Sequence, residues 1–124
     1  MTDIRQCVQL EVDGINDHLV SCARNEEINA VPLYDLSGGA GIVPDSWPVQ
    51  VPGIYSGYAG GLGPGNVLAE VERINKSARE DGLAWIDMET KVRTPDDSRL
   101  DCGAVERVLT QMAESPFLAA KLTS

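Results

Sequence analysis

Short apolar runs along the chain alternate with segments of helical periodicity, a pattern typical of an α/β protein. The apolar runs are rich in Val, Leu, Ile and aromatic residues and predict four strands, near residues 6–12, 31–36, 54–59 and 83–88. The periodic segments predict three helices, near residues 14–25, 64–80 and 101–114. Residues 38–53, between the second and third strands, carry three closely spaced prolines and are expected to form a loop with at most one helical turn.

Individual residues refine the predicted helices. Ile15, Leu19, Cys22 and Ala23 are expected to form the apolar face of the first helix, which leaves His18 as a partly exposed helix residue. In the last helix the same spacing predicts an apolar face, formed by Val105, Val108, Leu109 and Met112. Asp101 is expected to cap the start of that helix. Trp47 and Trp85 are interpreted as core anchors.

Strands that alternate with helices at this spacing predict parallel pairing through crossover connections, within a single domain over residues 1–124. Ligands of such sheets bind beyond the carboxyl ends of the strands. Small and polar residues of this sequence gather at those ends, namely Asp13, Asp35, Gly38, Gly39, Gly41, Gly60, Gly61, Glu89, Thr90 and Lys91.

Charge and composition narrow the choice of partners. The 124 residues carry a formal charge of −9 with no basic cluster, so nucleic acid is not an expected partner. No apolar run approaches the ~20 residues of a membrane span, and the start of the chain does not resemble a signal peptide, so a cytoplasmic location is expected. The three cysteines are widely separated and are interpreted as reduced thiols in packed positions, with no metal site.

The segment "YAGGLGPGNV" ends the third strand and opens a helix. Gly60 and Gly61 admit close approach of another group, and Pro64 suits a first helical turn. Backbone N–H groups at such a helix start can hold an anion. A tight strand-to-helix turn without a ligand explains the same residues, so both interpretations stay open here.

Three motifs together resemble the last three strands of the phosphoribosylanthranilate isomerase family, a (βα)₈ barrel. They are "LYDLSGGAG", "AGGLGPGNV" and "WIDMETKV", in the order and at the spacing of that family. The second matches the family pattern at every specified position. The resemblance implies a parallel (βα)₄ half of the barrel that corresponds to its strands five to eight.

The resemblance also implies a function. The family is an aldose–ketose (Amadori) isomerase of tryptophan biosynthesis that requires no cofactor and holds its substrate phosphate mainly through glycine-loop N–H groups. Asp35 matches the family's general acid. The residues implied to bind phosphate are Gly38, Gly39, Gly41, Gly60, Gly61, Thr90 and Lys91.

Departures from the family pattern leave two functions open. Lys91 stands in place of a glycine and Arg93 in place of a glutamate, and Cys7 does not match the family's cysteine base. The isolated chain is therefore expected to be inactive as an isomerase. The alternative is a non-catalytic module that binds a phosphorylated metabolite, or a structural half-barrel.

A half-barrel leaves strand edges and one sheet face uncovered. Val and Leu side chains of "CVQLEV" and "VPLYDL" are expected to be exposed on that face. We therefore expect the chain to pair, either as a homo-oligomer or with a complementing chain.

Overall fold

The computed structural model describes residues 7–12, 18–35, 41–51, 54–77 and 84–115. Within these segments lie four strands and three α-helices. The strands are β1 (Val8–Val12), β2 (Ala30–Tyr34), β3 (Ser56–Ala59) and β4 (Ala84–Asp87). The helices are α1 (His18–Asn25), α2 (Val67–Ser77) and α3 (Cys102–Glu114), and a short 3₁₀ helix covers Thr90–Val92.

The four strands form one open sheet in the order β1-β2-β3-β4, and all three pairings are parallel. Strand neighbours in the sheet are therefore also neighbours in the sequence. Val12 lies opposite Tyr34, Tyr34 opposite Tyr58, and Tyr58 opposite Ile86, so one row of side chains crosses the whole sheet. The predicted α/β class and parallel pairing are confirmed.

This row faces the helices. Val12, Tyr34 and Tyr58 form a buried cluster with Val20 of α1 and Ile74 of α2. The Tyr34 and Tyr58 rings lie 5.3 Å apart between centroids, within the range of favourable aromatic pairs. Both helices thus pack against the same face of the sheet, which we call the helix face.

A second cluster joins α2 to α3. Val67 and Val71 of α2 pack with Val92 and with Ala104 and Val108 of α3. Ile86 of β4 and Met88 contact this cluster and also the first one, so the two clusters are continuous.

All the predicted strands and helices occur within the described segments, and their ends lie within three residues of the prediction. Some predicted ends cannot be compared because they fall outside the described segments, at residues 6, 14, 36, 78–80 and 83. The loop prediction is confirmed over 41–51, which contains no helical turn. Asp101 caps α3 as predicted, because its side chain accepts a hydrogen bond from the Ala104 N–H at 3.1 Å.

Two predicted helix faces are partly wrong. In α1 the buried residue is Val20, whereas Leu19 is 42% exposed and Cys22 is exposed. In α3, Leu109 is 64% exposed and Ala104 takes a buried place instead. A helical period identifies an apolar stripe but not which edge of it meets the sheet. His18 is exposed at the first position of α1, as expected.

The face of the sheet opposite the helices differs from the prediction. Val31 and Leu33 of β2, which point to this face, are buried at 5% and 6% exposure. On β1 the same face carries Gln9 and Glu11. The prediction that Val and Leu side chains of these two strands are exposed on this face is therefore wrong. Those of β2 are buried, and β1 presents polar residues there instead.

An aromatic pair covers part of this opposite face. The Trp85 indole lies against Gly57, where no Cβ obstructs it, and the Tyr55 ring lies 4.7 Å from it between centroids. Trp85 is only half-buried, so the prediction of two core tryptophans holds for Trp47, at 5% exposure, and not for Trp85.

The cysteines also differ from expectation. Cys7, Cys22 and Cys102 are free thiols as predicted, but all three are exposed rather than packed. They lie before β1, within α1 and at the first position of α3, where their side chains do not reach the core clusters. Among the described helices none is long and apolar enough to cross a membrane.

Candidate functional site

A cavity of about 250 Å³ opens at the carboxyl ends of β2, β3 and β4. This is the edge of a parallel sheet where ligands are expected. The cavity brings together residues from three segments that are far apart in the sequence. Its lining consists of Asp35, Gly41, Ala59, Gly60, Gly61, Leu62, Asp87, Met88, Glu89, Thr90 and Lys91.

Gly60 and Gly61 take backbone conformations that favour glycine, with φ of 125° and 68°. A Cβ on Gly60 would lie 2.9 Å from the Ile42 carbonyl oxygen, and one on Gly61 would lie 2.6 Å from the Val43 nitrogen. The glycines therefore admit the backbone of the preceding loop. This contact explains the missing side chains without a ligand, while the same two residues line the cavity.

The rim of the cavity is closed by two further glycine contacts. Gly41 has φ of 71°, and a Cβ there would lie 3.0 Å from the Thr90 hydroxyl oxygen. A Cβ on Gly63 would lie 2.5 Å from the Cβ of Lys91. Thr90 and Lys91 thus stand between the loop after β2 and the turn before α2, and both side chains are exposed.

Asn66 braces the turn between β3 and α2. Its Oδ1 accepts a hydrogen bond from the Gly63 N–H at 2.9 Å, and its Nδ2 donates to the Gly61 carbonyl at 2.9 Å. From α3, the Gln111 amide donates to the Pro64 carbonyl at 2.9 Å. The sequence motif contains Asn66, but its bracing role was not predicted. An Asn directly before a helix that follows a Gly-rich turn is the signal that indicates it.

The lining of the cavity includes two carboxylates from the ends of strands. Asp87 of β4 pairs with Ala59 of β3, and Asp35 directly follows Tyr34, the last paired residue of β2. Ala59 and Asp87 thus lie on the face opposite the helices, and Asp35 lines the same cavity from the end of β2. The Asp35 carboxylate approaches Gly60, with its Oδ1 3.7 Å from the position that a Cβ there would occupy.

Glu89 adds a third carboxylate to the lining, and Lys91 is the one cation among the described lining residues. Despite this acidity, no group of three or more His, Cys, Asp or Glu side chains in the described segments could hold a metal ion. The lining of the cavity therefore combines three carboxylates with Thr90, Lys91 and glycine backbone.

The loop that meets Gly60 and Gly61 is tied to α2. The indole N–H of Trp47 donates to the Glu70 carboxylate at 2.8 Å, and Arg73 donates to that carboxylate at 2.8 and 2.9 Å. Arg73 also donates to the carbonyl of Asp45. This network holds residues 45–47 against the first turns of α2 and so supports one side of the cavity.

Tyr58 supports the same loop from the sheet. Its side chain is fully buried, and its hydroxyl donates to the Pro48 carbonyl at 2.9 Å. Burial raises the pKa of Tyr58 well above its ordinary value, and the neighbouring Tyr34 adds to that increase.

A second group of polar residues lies outside the cavity, in the loop over residues 93–101. Asp96 accepts hydrogen bonds from the Thr94 hydroxyl, the Ser98 hydroxyl and the Ser98 N–H. These bonds lower the pKa of Asp96 to about 2, with the Thr94 hydroxyl as the largest cause. Arg93 pairs with Asp97, which closes the loop. These side chains hydrogen-bond to one another, as expected for a structural turn.

The structure brings most of the sequence-predicted site residues to one place. Asp35, Gly41, Gly60, Gly61, Thr90 and Lys91 all line the cavity. Gly38 and Gly39 lie outside the described residues. Cys7 precedes β1 and so lies at the amino-terminal edge of the sheet, away from the cavity at the opposite edge. It is therefore no candidate base for this site. From the sequence, Asp87 is interpreted as an internal hydrogen-bonding residue, with orientation of the phosphate loops as the alternative, and it is not named among the site residues; in the structure it lines the cavity.

Comparisons with protein-family models, curated proteins and solved structures found no match to this chain. The interpretation of the cavity therefore depends on the three sequence motifs and on the geometry described above.

Proposed function

We propose that the chain is a half-barrel of the phosphoribosylanthranilate isomerase type whose cavity binds a phosphorylated sugar. The observation that carries this proposal is the convergence of six motif residues from three loops on one cavity of about 250 Å³. The resemblance assigned five of those residues to a common phosphate site and Asp35 to the general acid beside it.

The sheet topology supports the half-barrel. Strands paired in sequence order, with α1 and α2 on one face, are the arrangement of a (βα)₈ barrel wall. Doubly wound folds instead reverse their strand order and cover both faces with helices.

The mixed lining of the cavity, with carboxylates as well as Thr90 and Lys91, favours a sugar phosphate over a free phosphate ion. Sugar hydroxyls donate hydrogen bonds, which the carboxylates of Asp35, Asp87 and Glu89 accept. A phosphate group requires donors and positive charge, which Thr90 and Lys91 supply at the rim. Because Lys91 replaces the family's glycine, its ammonium group takes over part of the role of the N–H groups in that loop.

Titration of ribose 5-phosphate, followed by NMR or calorimetry, tests the site. Lys91→Ala is expected to weaken binding by about tenfold, which corresponds to ~1.4 kcal/mol and lies near the value of one hydrogen bond to a charged group. Lys76→Ala is the matched control, because Lys76 is an exposed lysine on α2 that pairs with Glu72 at 3.6 Å. Equal affinity of wild type and Lys91→Ala would contradict the site.

Gly61 is less suitable for this test. Its positive φ and its contact with Val43 mean that a bulky side chain would distort the turn as well as occupy the cavity. Loss of binding in such a variant would not separate the two effects.

A non-catalytic phosphate-binding module is the second candidate function. The position of Cys7 at the far edge of the sheet favours it, since the family's thiol base has no counterpart in the cavity. Binding of ribose 5-phosphate without any turnover of an aminoaldose phosphate would select this candidate.

Assembly with a second copy or with a complementing chain is part of the half-barrel proposal. The strands at the two ends of the sheet, β1 and β4, offer edges for further pairing. Sedimentation velocity at micromolar concentration tests this. A folded monomer over the whole concentration range would exclude a homodimer.

A further inference from the structure

The cavity holds a second group suited to proton transfer. We propose that Asp87 acts as the general base opposite Asp35, in the role for which the sequence offers no matched cysteine. This inference rests on the proposed function and deepens it, because it assigns both proton-transfer groups to this chain.

The sheet register carries the argument. Asp87 pairs with Ala59 of β3, and Asp35 directly follows Tyr34, the last paired residue of β2, so the two carboxylates come from strands on either side of β3, two strand spacings or roughly 10 Å apart. Ala59, which contributes only a methyl group, lines the same cavity as both carboxylates. In glycoside hydrolases, two carboxylates that act on one sugar stand roughly 5–9.5 Å apart. Two carboxylates that line one cavity from strands this far apart can come within that range.

The other polar groups of the lining fit this role less well. The stem of Lys91 lies against Gly63, on the rim beside α2. Glu89 follows β4 and has no partner position in the sheet, whereas Asp87 is held by its pairing with Ala59. Asp87 is thus the carboxylate that the sheet itself directs toward the same space as Asp35.

The proposed cycle is balanced in protons and electrons. Protonated Asp35 gives its proton to the ring oxygen, the bond from that oxygen to carbon 1 breaks, and the amine nitrogen shares its lone pair with carbon 1. Asp87 takes the proton from carbon 2, the electron pair of that C–H bond forms the C1–C2 double bond, and the pair that nitrogen shared with carbon 1 returns to nitrogen. Asp87 then returns its proton to carbon 1 while Asp35 accepts the proton of the hydroxyl on carbon 2. The product is the aminoketose, and no co-reactant is consumed.

This assignment replaces the expectation of an inactive chain, which rested on Cys7. The purified full chain is expected to isomerise phosphoribosylanthranilate measurably, and Asp87→Asn is expected to lower kcat by about 100-fold or more, the usual effect of losing a general base. Ribose 5-phosphate affinity in that variant should change by less than about threefold, with an unchanged melting temperature. The pH–rate profile should lose its acid limb, which a merely structural role of Asp87 would not cause.

Glu106→Gln is the control, because Glu106 is an exposed carboxylate on α3 away from the cavity. It should keep wild-type turnover. A wild-type chain that binds ribose 5-phosphate but shows no turnover would overturn the assignment of Asp87 and leave the phosphate site intact. Turnover that persists in Asp87→Asn would overturn it as well. A chain that binds no ribose 5-phosphate would overturn the proposed function and this inference together.

Discussion

The two faces of the sheet have different compositions and different tasks. Tyr34 and Tyr58 fill the helix face and are buried between the sheet and the helices. The opposite face carries Asp35 and Asp87 at its upper edge, and Trp85 lies lower down against a glycine. Because side chains alternate along a strand, one β-strand serves both faces with consecutive residues. In β3, Tyr58 packs into the core on the helix face, while its neighbours Gly57 and Ala59 leave room on the opposite face.

The largest expected effect comes from the helix face. Tyr58→Ala removes a fully buried ring and its hydrogen bond to Pro48, so we expect a loss of about 3–5 kcal/mol in the free energy of unfolding. Denaturant unfolding measures this loss. Tyr55→Ala, on the opposite face and 48% exposed, is the matched control and should cost much less. Similar losses in the two variants would mean that the faces do not differ in this way.

The neighbouring residue tests the opposite face. Gly57→Ala places a methyl group where the Trp85 indole lies, and we expect it to destabilise the protein by about 1–3 kcal/mol through overpacking. Trp85→Leu in the same chain should recover most of that loss, because the smaller side chain can shift. If the double variant is no more stable than Gly57→Ala alone, strain against the indole is not the cause of the destabilisation.

A smaller effect depends on pH. Because the folded pKa of Tyr58 is raised, its contribution to stability is complete below the ordinary tyrosine pKa of 10.0 and is lost as the pH rises above it. Tyr58→Phe should therefore lose about 0.5–1.5 kcal/mol near neutral pH and show a shallower decline above pH ~10. Unfolding curves at several alkaline pH values measure the difference. Parallel declines in the two proteins would contradict the burial of Tyr58.

The smallest expected effect lies outside the sheet, in the loop over residues 93–101. The folded pKa of Asp96 is lowered to about 2, so its hydrogen bonds stabilise the loop above the ordinary value of 3.8 and are lost as the pH falls toward 2. Thr94→Val should raise the NMR titration midpoint of Asp96 toward 3.8, because it removes the hydrogen bond that contributes most to the lowered pKa. An unchanged midpoint would mean that Ser98 alone sets it. Neither sheet face should respond to this change.

Much of the fold could be predicted from local patterns. The order of elements, their approximate ends, the cap at Asp101 and the gathering of Gly41, Gly60, Gly61, Thr90 and Lys91 follow from periodicity, turn residues and the site resemblance. These features depend on a few neighbouring residues or on the rule that parallel strands end at one edge.

Features that depend on contacts distant in the sequence could not be predicted. Tertiary packing determines three of them: the burial of Val31 and Leu33, the burial of Val20 rather than Leu19, and the contact of the Trp85 indole with Gly57. The reason for Gly60 and Gly61 was also incomplete, because nothing in the motif shows that Ile42 and Val43 lie against them. Asp87 lies at the cavity because of the register in which β4 pairs with β3, and a single sequence does not specify that register.

The brace formed by Asn66 has a consequence for the kinetics of the ligand binding that we propose. It joins the Gly61 carbonyl and the Gly63 N–H through a side chain of the protein itself, so the turn is held without a contribution from any ligand. Binding then costs little conformational entropy at this turn. Association should therefore follow a single exponential whose rate rises linearly with ligand concentration, without the plateau that a slow rearrangement of the turn would impose. In Asn66→Ala, an unbraced turn would have to order during binding, and such a plateau should develop.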